Sequence, residues 1–404
     1  MALKEQRRPL GLYLHIPFCR HKCIYCDFYS LAGREEAEAR YIKALCRHLE
    51  EVAPSAANHR VDTVYIGGGT PTVLPTRLLL GLLDTVRSRY RLDREGEITL
   101  EANPESARDW RSLRALRRCG VNRLSLGVQA ADDGLLKTIG RVHTWADVEA
   151  AVAAARRAGI RNLSLDLIYG LPGQSLDQWK DTLEKAAALE PEHLSCYGLK
   201  VEEGTPLAAM AGRMDLPDDD CQADMYLWTV ERLEQLGYGQ YEISNFARPG
   251  FASRHNTKYW TLSEYAGFGP GAHSDFGEVR YAYGRDLEGY IRGVMDGTLR
   301  VSEREELPLR ERDTEYIMLS LRLASGISRR TFEYRFRRRF APLEAEFIRY
   351  EAMGLARRTE QGWRLTPEGF LVSNTIIASL WEALGRDKLR RAEAAERGDF
   401  RVLP

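Results

Sequence analysis

Cys19, Cys23 and Cys26 lie in the run His15-Ile-Pro-Phe-Cys-Arg-His-Lys-Cys-Ile-Tyr-Cys-Asp-Phe28, separated by three and then two residues. Such spacing lets one short loop present three thiolates to three corners of a cubane, and soft thiolate sulfur is what an iron–sulfur cluster requires. The next cysteine is Cys46, so the fourth iron stays open to a small molecule. The arrangement points to a site-differentiated [4Fe–4S] cluster that holds S-adenosylmethionine (SAM) by its amino and carboxylate groups. Two plainer readings compete. A structural zinc site is closed by four protein ligands, often in two separated pairs; His21 could be the fourth, but the spacing is wrong for a finger. A disulfide framework does not suit an odd total of seven cysteines in 404 residues.

The second signal is Gly67-Gly-Gly-Thr-Pro-Thr72, directly after the apolar run Val61–Ile66. Three glycines at a strand end let backbone groups approach a ligand closely, and beside a cluster loop the natural guest is the methionine amino group of SAM. A tight structural turn is the plainer alternative. A phosphate loop is set aside, because no Gly-Lys-Ser/Thr follows. Glu101, Gln129 and Asp166 then stand at or just past successive strand ends, with Arg141 between the fourth and fifth strands. A carboxylate suits ribose hydroxyls and an arginine suits the methionine carboxylate. Each residue alone reads as well as a solvated surface group; their common place at one barrel face argues for a site.

These residues need a scaffold, and the chain pattern supplies one. Strands are expected at Gly11–Ile16, Val61–Ile66, Glu97–Glu101, Arg123–Gly127, Asn162–Ile168 and His193–Leu199, alternating with helices at Ala37–Val52, Arg77–Tyr90, Ala107–Arg118, Trp145–Ala158 and Leu176–Leu189. Stop signals such as Cys119-Gly120 and Ala158-Gly159 close the helices. Six βα units predict an α/β fold, a partial (β/α)6 barrel over residues 1–235, with catalytic groups at the C-terminal strand ends. Residues 236–304, rich in Gly, Tyr and Asp, read as a sheet extension with loops over the barrel mouth. Residues 305–404 read as a winged-helix-like helical domain: helices at Glu311–Ala324 and Arg330–Arg339, then a strand from Trp363 running into a helix capped by Thr366.

Composition narrows the function classes. Lysine plus arginine and aspartate plus glutamate number 58 each, so net charge calls for no nucleic acid. Six arginines between Arg329 and Arg339 raise a DNA-binding reading, but the tail carries many glutamates, and a solvated helix face or a docking surface for protein is favoured. The charge-alternating stretch Arg386–Arg401 reads as a frayed helix. No apolar stretch is long enough to span a membrane, and the N-terminus has no apolar signal region. The expected compartment is the cytoplasm, where thiols stay reduced.

In these motifs the chain resembles the radical SAM superfamily and, within it, the coproporphyrinogen III oxidase-like group. The matching residues are His15-Ile-Pro-Phe-Cys19, Gly67–Thr72, Gly127-Val-Gln129 and Asp166–Pro172. The resemblance implies that Tyr13, Gly68, Gly69, Thr70, Glu101, Gln129, Arg141 and Asp166 surround SAM, with Tyr25 against the adenine or the cluster. The oxidase branch carries a further cysteine two residues after the third ligand and a long N-terminal extension. Here Phe28 follows Asp27, and 18 residues precede Cys19. Both features resemble the HemW-type haem chaperones instead, as do His255-Asn-Thr-Lys-Tyr-Trp260 and Gly267-Phe-Gly-Pro-Gly-Ala-His273. That branch implies a haem-binding protein that passes haem to apoproteins such as cytochromes or respiratory enzymes. It leaves open a homodimer and contact with a membrane surface. On physical grounds His255 is either an axial haem ligand beside Tyr259 and Trp260 or a buried, hydrogen-bonded histidine, and His273 faces the same choice. His15 reads as support for the cluster loop. The rival reading is radical oxidative decarboxylation of coproporphyrinogen III.

Overall fold

The computed structural model describes residues 7–396. The extreme N-terminus and the end of the Arg386–Arg401 stretch lie outside these residues. Six strands run in the order of the chain: β1 (Arg8–Ile16), β2 (His59–Gly68), β3 (Leu92–Ala102), β4 (Arg123–Gln129), β5 (Asn162–Tyr169) and β6 (His193–Gly198). Each pairs in parallel with the next. Helices Glu38–Val52, Thr76–Arg89, Trp110–Arg118, Trp145–Ala158 and Leu176–Ala188 fill the crossovers. Their ends follow local chemistry. Thr144 with Asp147, and Ser175 with Gln178, form capping boxes, and Gly159 closes its helix at φ 88°.

The strands position the site through their pleat. A parallel sheet covered on both faces reads as a nearly continuous apolar run, but these strands alternate. Leu10, Leu12, Leu14 and Ile16 of β1, Leu100 of β3, Leu124 and Leu126 of β4, and Leu163 and Leu165 of β5 join one apolar cluster with the helices. With a period of two, the residues between them go to the opposite face: Tyr13, Tyr65, Thr99 and Glu101, Arg123 and Ser125, Ser164 and Asp166, Ser195. One face of the barrel therefore gathers polar side chains from all six strands, with Ile168 among them.

Residues 236–304 extend the sheet at both edges. β7 (Asn245–Ala247) pairs antiparallel with β6. Beyond β1 lie β8 (Tyr265–Phe268), parallel to it, and then β9 (His273–Phe276), β10 (Val279–Tyr283) and β11 (Val301–Glu306), all antiparallel. The chain divides into two compact units. The first comprises residues up to Gly239, Ser244–Lys258 and Ser263–Glu306; the second comprises Gln240–Ile243, Tyr259–Leu262 and the chain from Leu307.

The second unit holds helices Asp313–Ser320, Arg329–Phe336, Ala341–Ala352 and Ser373–Glu396, with a small antiparallel sheet of Ile327–Ser328, Gly362–Leu365 and Ala356–Arg358. Its core is aromatic: Phe332, Phe336, Phe340 and Phe347 are buried, and Phe347 stacks on Trp363 at 5.3 Å. Thr366 caps its helix by accepting from the Gly369 N–H at 3.1 Å. In the arginine-rich segment, Arg329 pairs with Glu344 and Arg338 with Asp313. Among the described residues no helix is long and apolar enough to cross a membrane.

Candidate functional site

The polar barrel face opens into a cavity of about 370 Å³ at the C-terminal strand ends. Cys19, Cys23, Tyr25, Cys26, Gly68, Gly69, Thr70, Glu101, Gln129, Arg141 and Asp166 all line it.

Backbone bonds place the cysteine loop. Cys19 ends a short strand, Phe18–Cys19, paired with Leu31–Ala32. The Gly69 N–H donates to Ile16 O at 2.8 Å and the Thr70 N–H to Phe18 O at 2.7 Å, stitching the glycine run of β2 to the loop. A Cβ on Gly69 would stand 2.6 Å from Phe18 O, so only glycine fits. Among the described residues no three His, Cys, Asp or Glu side chains gather as ligands of a single ion. A cubane asks for thiolates held at separate corners instead, and three cysteines around one cavity suit it. Burial pushes the Cys19 and Cys26 thiols up, so iron must displace their protons on binding.

A hydrogen-bond chain connects two of the cysteines from behind. Thr70 Oγ1 lies 3.5 Å from Cys19 Sγ and accepts from Asn103 Nδ2 at 2.9 Å. Arg141 Nη2 donates to Asn103 Oδ1 at 2.8 Å and to Gly127 O at 2.7 Å, while Nη1 reaches Cys23 Sγ at 3.7 Å. Arg141 Nε donates to His143 Nδ1 at 3.2 Å, and His143 Nε2 bonds Val128 O at 3.1 Å. This fixes a neutral imidazole with its proton on Nε2. Burial, helped by Arg141, lowers His143 to about 4.

The carboxylates have different surroundings. Glu101 accepts from the Tyr65 hydroxyl at 2.6 Å and from the Gly68 N–H at 2.9 Å. Burial nevertheless raises it to about 7, assisted by Asp166 and opposed by those two donors. Asp166 accepts three hydroxyls, from Ser125 (2.8 Å), Ser164 (3.0 Å) and Ser195 (2.7 Å). Gln129 sits at φ 67°, where a register shift breaks the pairing of β4 with β5. That left-handed residue turns the end of β4, with Gln129, onto the cavity wall.

Two expected site residues do not line the cavity. Tyr13 directs its hydroxyl to His15 Nδ1 at 2.9 Å, and His15 Nε2 donates to Tyr29 O at 2.8 Å. His255, read as either a haem ligand or a buried, hydrogen-bonded histidine, is fully buried: Nδ1 lies 2.9 Å from Thr63 Oγ1, and the ring stacks on Tyr65 at 5.2 Å. Its backbone N–H donates to Glu97. In this conformation the imidazole is a packing element of the barrel. His273 is exposed on β9. Sequence reasoning missed Asn103, which joins the Arg141 and Thr70 bonds; its cue was an Asn-Pro pair two residues past Glu101.

The buried histidines make the fold acid-labile. Burial holds His15, His48 and His143 at about 4 and His255 at about 3. The unfolded imidazoles take protons near 6.5 while the native ones stay neutral, so these groups stabilise the fold above 6.5 and lose that contribution as pH falls towards 4. Each adds about 1.4 kcal/mol per pH unit to the slope. Glu101 runs the other way, its contribution being lost as pH rises through 7. Urea unfolding between pH 7.5 and 4.5 will show stability falling steeply with acid. A flat profile would contradict the neutral burial of these rings.

A radical SAM superfamily profile matches residues 13–186, and a HemN C-terminal domain profile matches residues 307–372. The chain is 35% identical over 371 residues to the protein named heme chaperone HemW of Bacillus subtilis, covering 91% of this chain and 98% of that one. With the heme chaperone HemW of Escherichia coli the identity is 36% over 379 residues, covering 91% and 97%. The bovine radical S-adenosyl methionine domain-containing protein 1, mitochondrial, is 34% identical over 396 residues, covering 93% and 88%. Among solved structures, the radical SAM enzyme coproporphyrinogen III oxidase (HemN) of Escherichia coli matches with a TM-score of 0.80 at 26% identity, over 93% of this chain and 90% of that one. The barrel, the cysteine loop and relatives matched along nearly their whole length lead to one conclusion: the chain belongs to the HemW family of radical SAM proteins.

Proposed function

We propose that this chain is a haem chaperone of the radical SAM type, which binds haem and delivers it to acceptor apoproteins such as cytochromes or respiratory enzymes. The observation that carries the reading is the single cavity onto which three cysteines and the polar strand-end residues converge, in a chain whose relatives bear the name haem chaperone. Cys19, Cys23 and Cys26 are the cluster ligands. When bound, the cluster would supply an open iron to the amino and carboxylate groups of SAM. Gly68, Gly69 and Thr70 offer backbone groups to the methionine end. Glu101, held between Tyr65 and Gly68, would hold ribose hydroxyls, and Arg141 keeps the cluster loop and β4 in register. Asp166, locked by three serine hydroxyls, and Gln129 complete the wall.

Phe28 is 62% exposed and Tyr197 40% exposed, and both line the cavity. Exposed aromatic faces at a mouth suit a flat apolar macrocycle. Phe28 also stands where the oxidase branch has its extra cysteine. The oxidase reading keeps a claim through the structural match to the HemN enzyme, so the test must separate the two. Anaerobic reconstitution of the cluster, haem titration on the Soret band and a parallel assay for 5′-deoxyadenosine with coproporphyrinogen do so. Stoichiometric haem binding without decarboxylated product is expected. Protoporphyrinogen formed with matching 5′-deoxyadenosine would replace the chaperone by an oxidase.

A further inference from the structure

Arg123 opens β4 on its polar face, two residues (about 7 Å along the strand) before Ser125. It is 2% exposed and lines the cavity. Among the described residues its Nε and Nη1 find no acceptor. The carboxylates of the barrel interior are otherwise engaged. Asp166 holds three serine hydroxyls, Glu101 holds Tyr65 and Gly68, and Glu97 takes the backbone N–H groups of Arg254 and His255. Level with Arg123 on β3 is Thr99, whose buried hydroxyl is likewise unpartnered.

A guanidinium cannot shed its proton, and an unpaired buried charge is expensive to keep. We propose that Arg123 forms an anion subsite inside the barrel that takes the carboxylate of a molecule occupying the cavity. One guanidinium neutralises a single negative charge. A phosphate dianion would leave excess charge beside Glu101 and Asp166, whereas a carboxylate matches the planar guanidinium.

The carboxylate has two sources, a propionate arm of a tetrapyrrole or a small free acid, and the first rests on the haem reading above. The reconstituted full chain, its Arg123→Met and its Arg123→Lys forms are titrated with haem and with haem dimethyl ester on the Soret band. Each is also melted against increasing sodium propionate, with sodium chloride as the salt control. A propionate arm predicts that the wild type prefers haem over its diester by about tenfold and that Arg123→Met abolishes the preference. A free acid predicts no preference, but a propionate-dependent rise in Tm in the wild type that Arg123→Met lacks. If the methionine form does not fold, Arg123→Lys, which keeps the charge without the planar fork, must show the same effect reduced. A wild type with neither preference nor Tm rise overturns the subsite. A wild type that binds no haem at all overturns the chaperone reading, and the propionate melt then decides the subsite alone.

Discussion

Cys23→Ser will leave the chain folded and strip it of its cluster. Iron in the reconstituted protein will fall from about four atoms per chain to background, and the broad visible absorption will go with it. Serine oxygen is a hard, protonated ligand that does not replace thiolate on iron. The fold should survive, because Cys23 lies half-buried in a loop and is absent from the apolar cluster under the barrel helices. Circular dichroism and melting report the fold while iron analysis reports the ligand. Full iron retention in the serine form would mean that another side chain, with His21 the nearest alternative in the loop, completes the site.

Arg141→Lys will separate SAM from haem. The arginine reaches Asn103, Gly127, Cys23 and His143 at once, and a lysine ammonium cannot span that set of acceptors. Groups that orient cluster and cofactor ligands from behind typically affect affinity by 10–100-fold. SAM affinity of the reconstituted protein, measured by calorimetry, should fall by about that factor. Haem affinity should stay within about twofold, since the Arg141 bonds run to His143, Cys23, Asn103 and Gly127 rather than to the aromatic mouth at Phe28 and Tyr197. Loss of both together would tie haem capture to an ordered SAM site and argue against a chaperone that binds haem independently.

Much of this architecture was legible in the sequence. The six strands and five helices lie within a few residues of their expected places, because helix signals such as Ser175 with Gln178 and Gly159 are local. The three cysteines and the Gly67–Thr72 run were legible because their chemistry is written in residue type and spacing. Arg123 was not. At the head of a strand an arginine reads as a solvated flank, and only the pleat of β4, counted from Leu124 and Leu126, turns it inward. Asn103 escaped for a related reason, since its partners Thr70 and Arg141 lie 33 and 38 residues away. His255 was drawn towards haem by its motif, while its actual neighbours, Thr63 and Tyr65, belong to a strand nearly two hundred residues earlier. Its surroundings depend on tertiary packing that no local pattern encodes.

The stitching of Gly69 and Thr70 to Ile16 and Phe18 has a consequence for how the protein comes to hold metal. Small zinc modules are unfolded until their ion arrives, so losing the ion is losing the fold. Here main-chain bonds from Gly69 and Thr70 to Ile16 and Phe18 hold the loop to the barrel through contacts that involve no thiolate. Folding and cluster insertion are then separable events, and a folded, iron-free Cys23→Ser form is the result that establishes it. On that outcome, recovery of a lost cluster is a matter of iron and sulfide supply rather than of refolding.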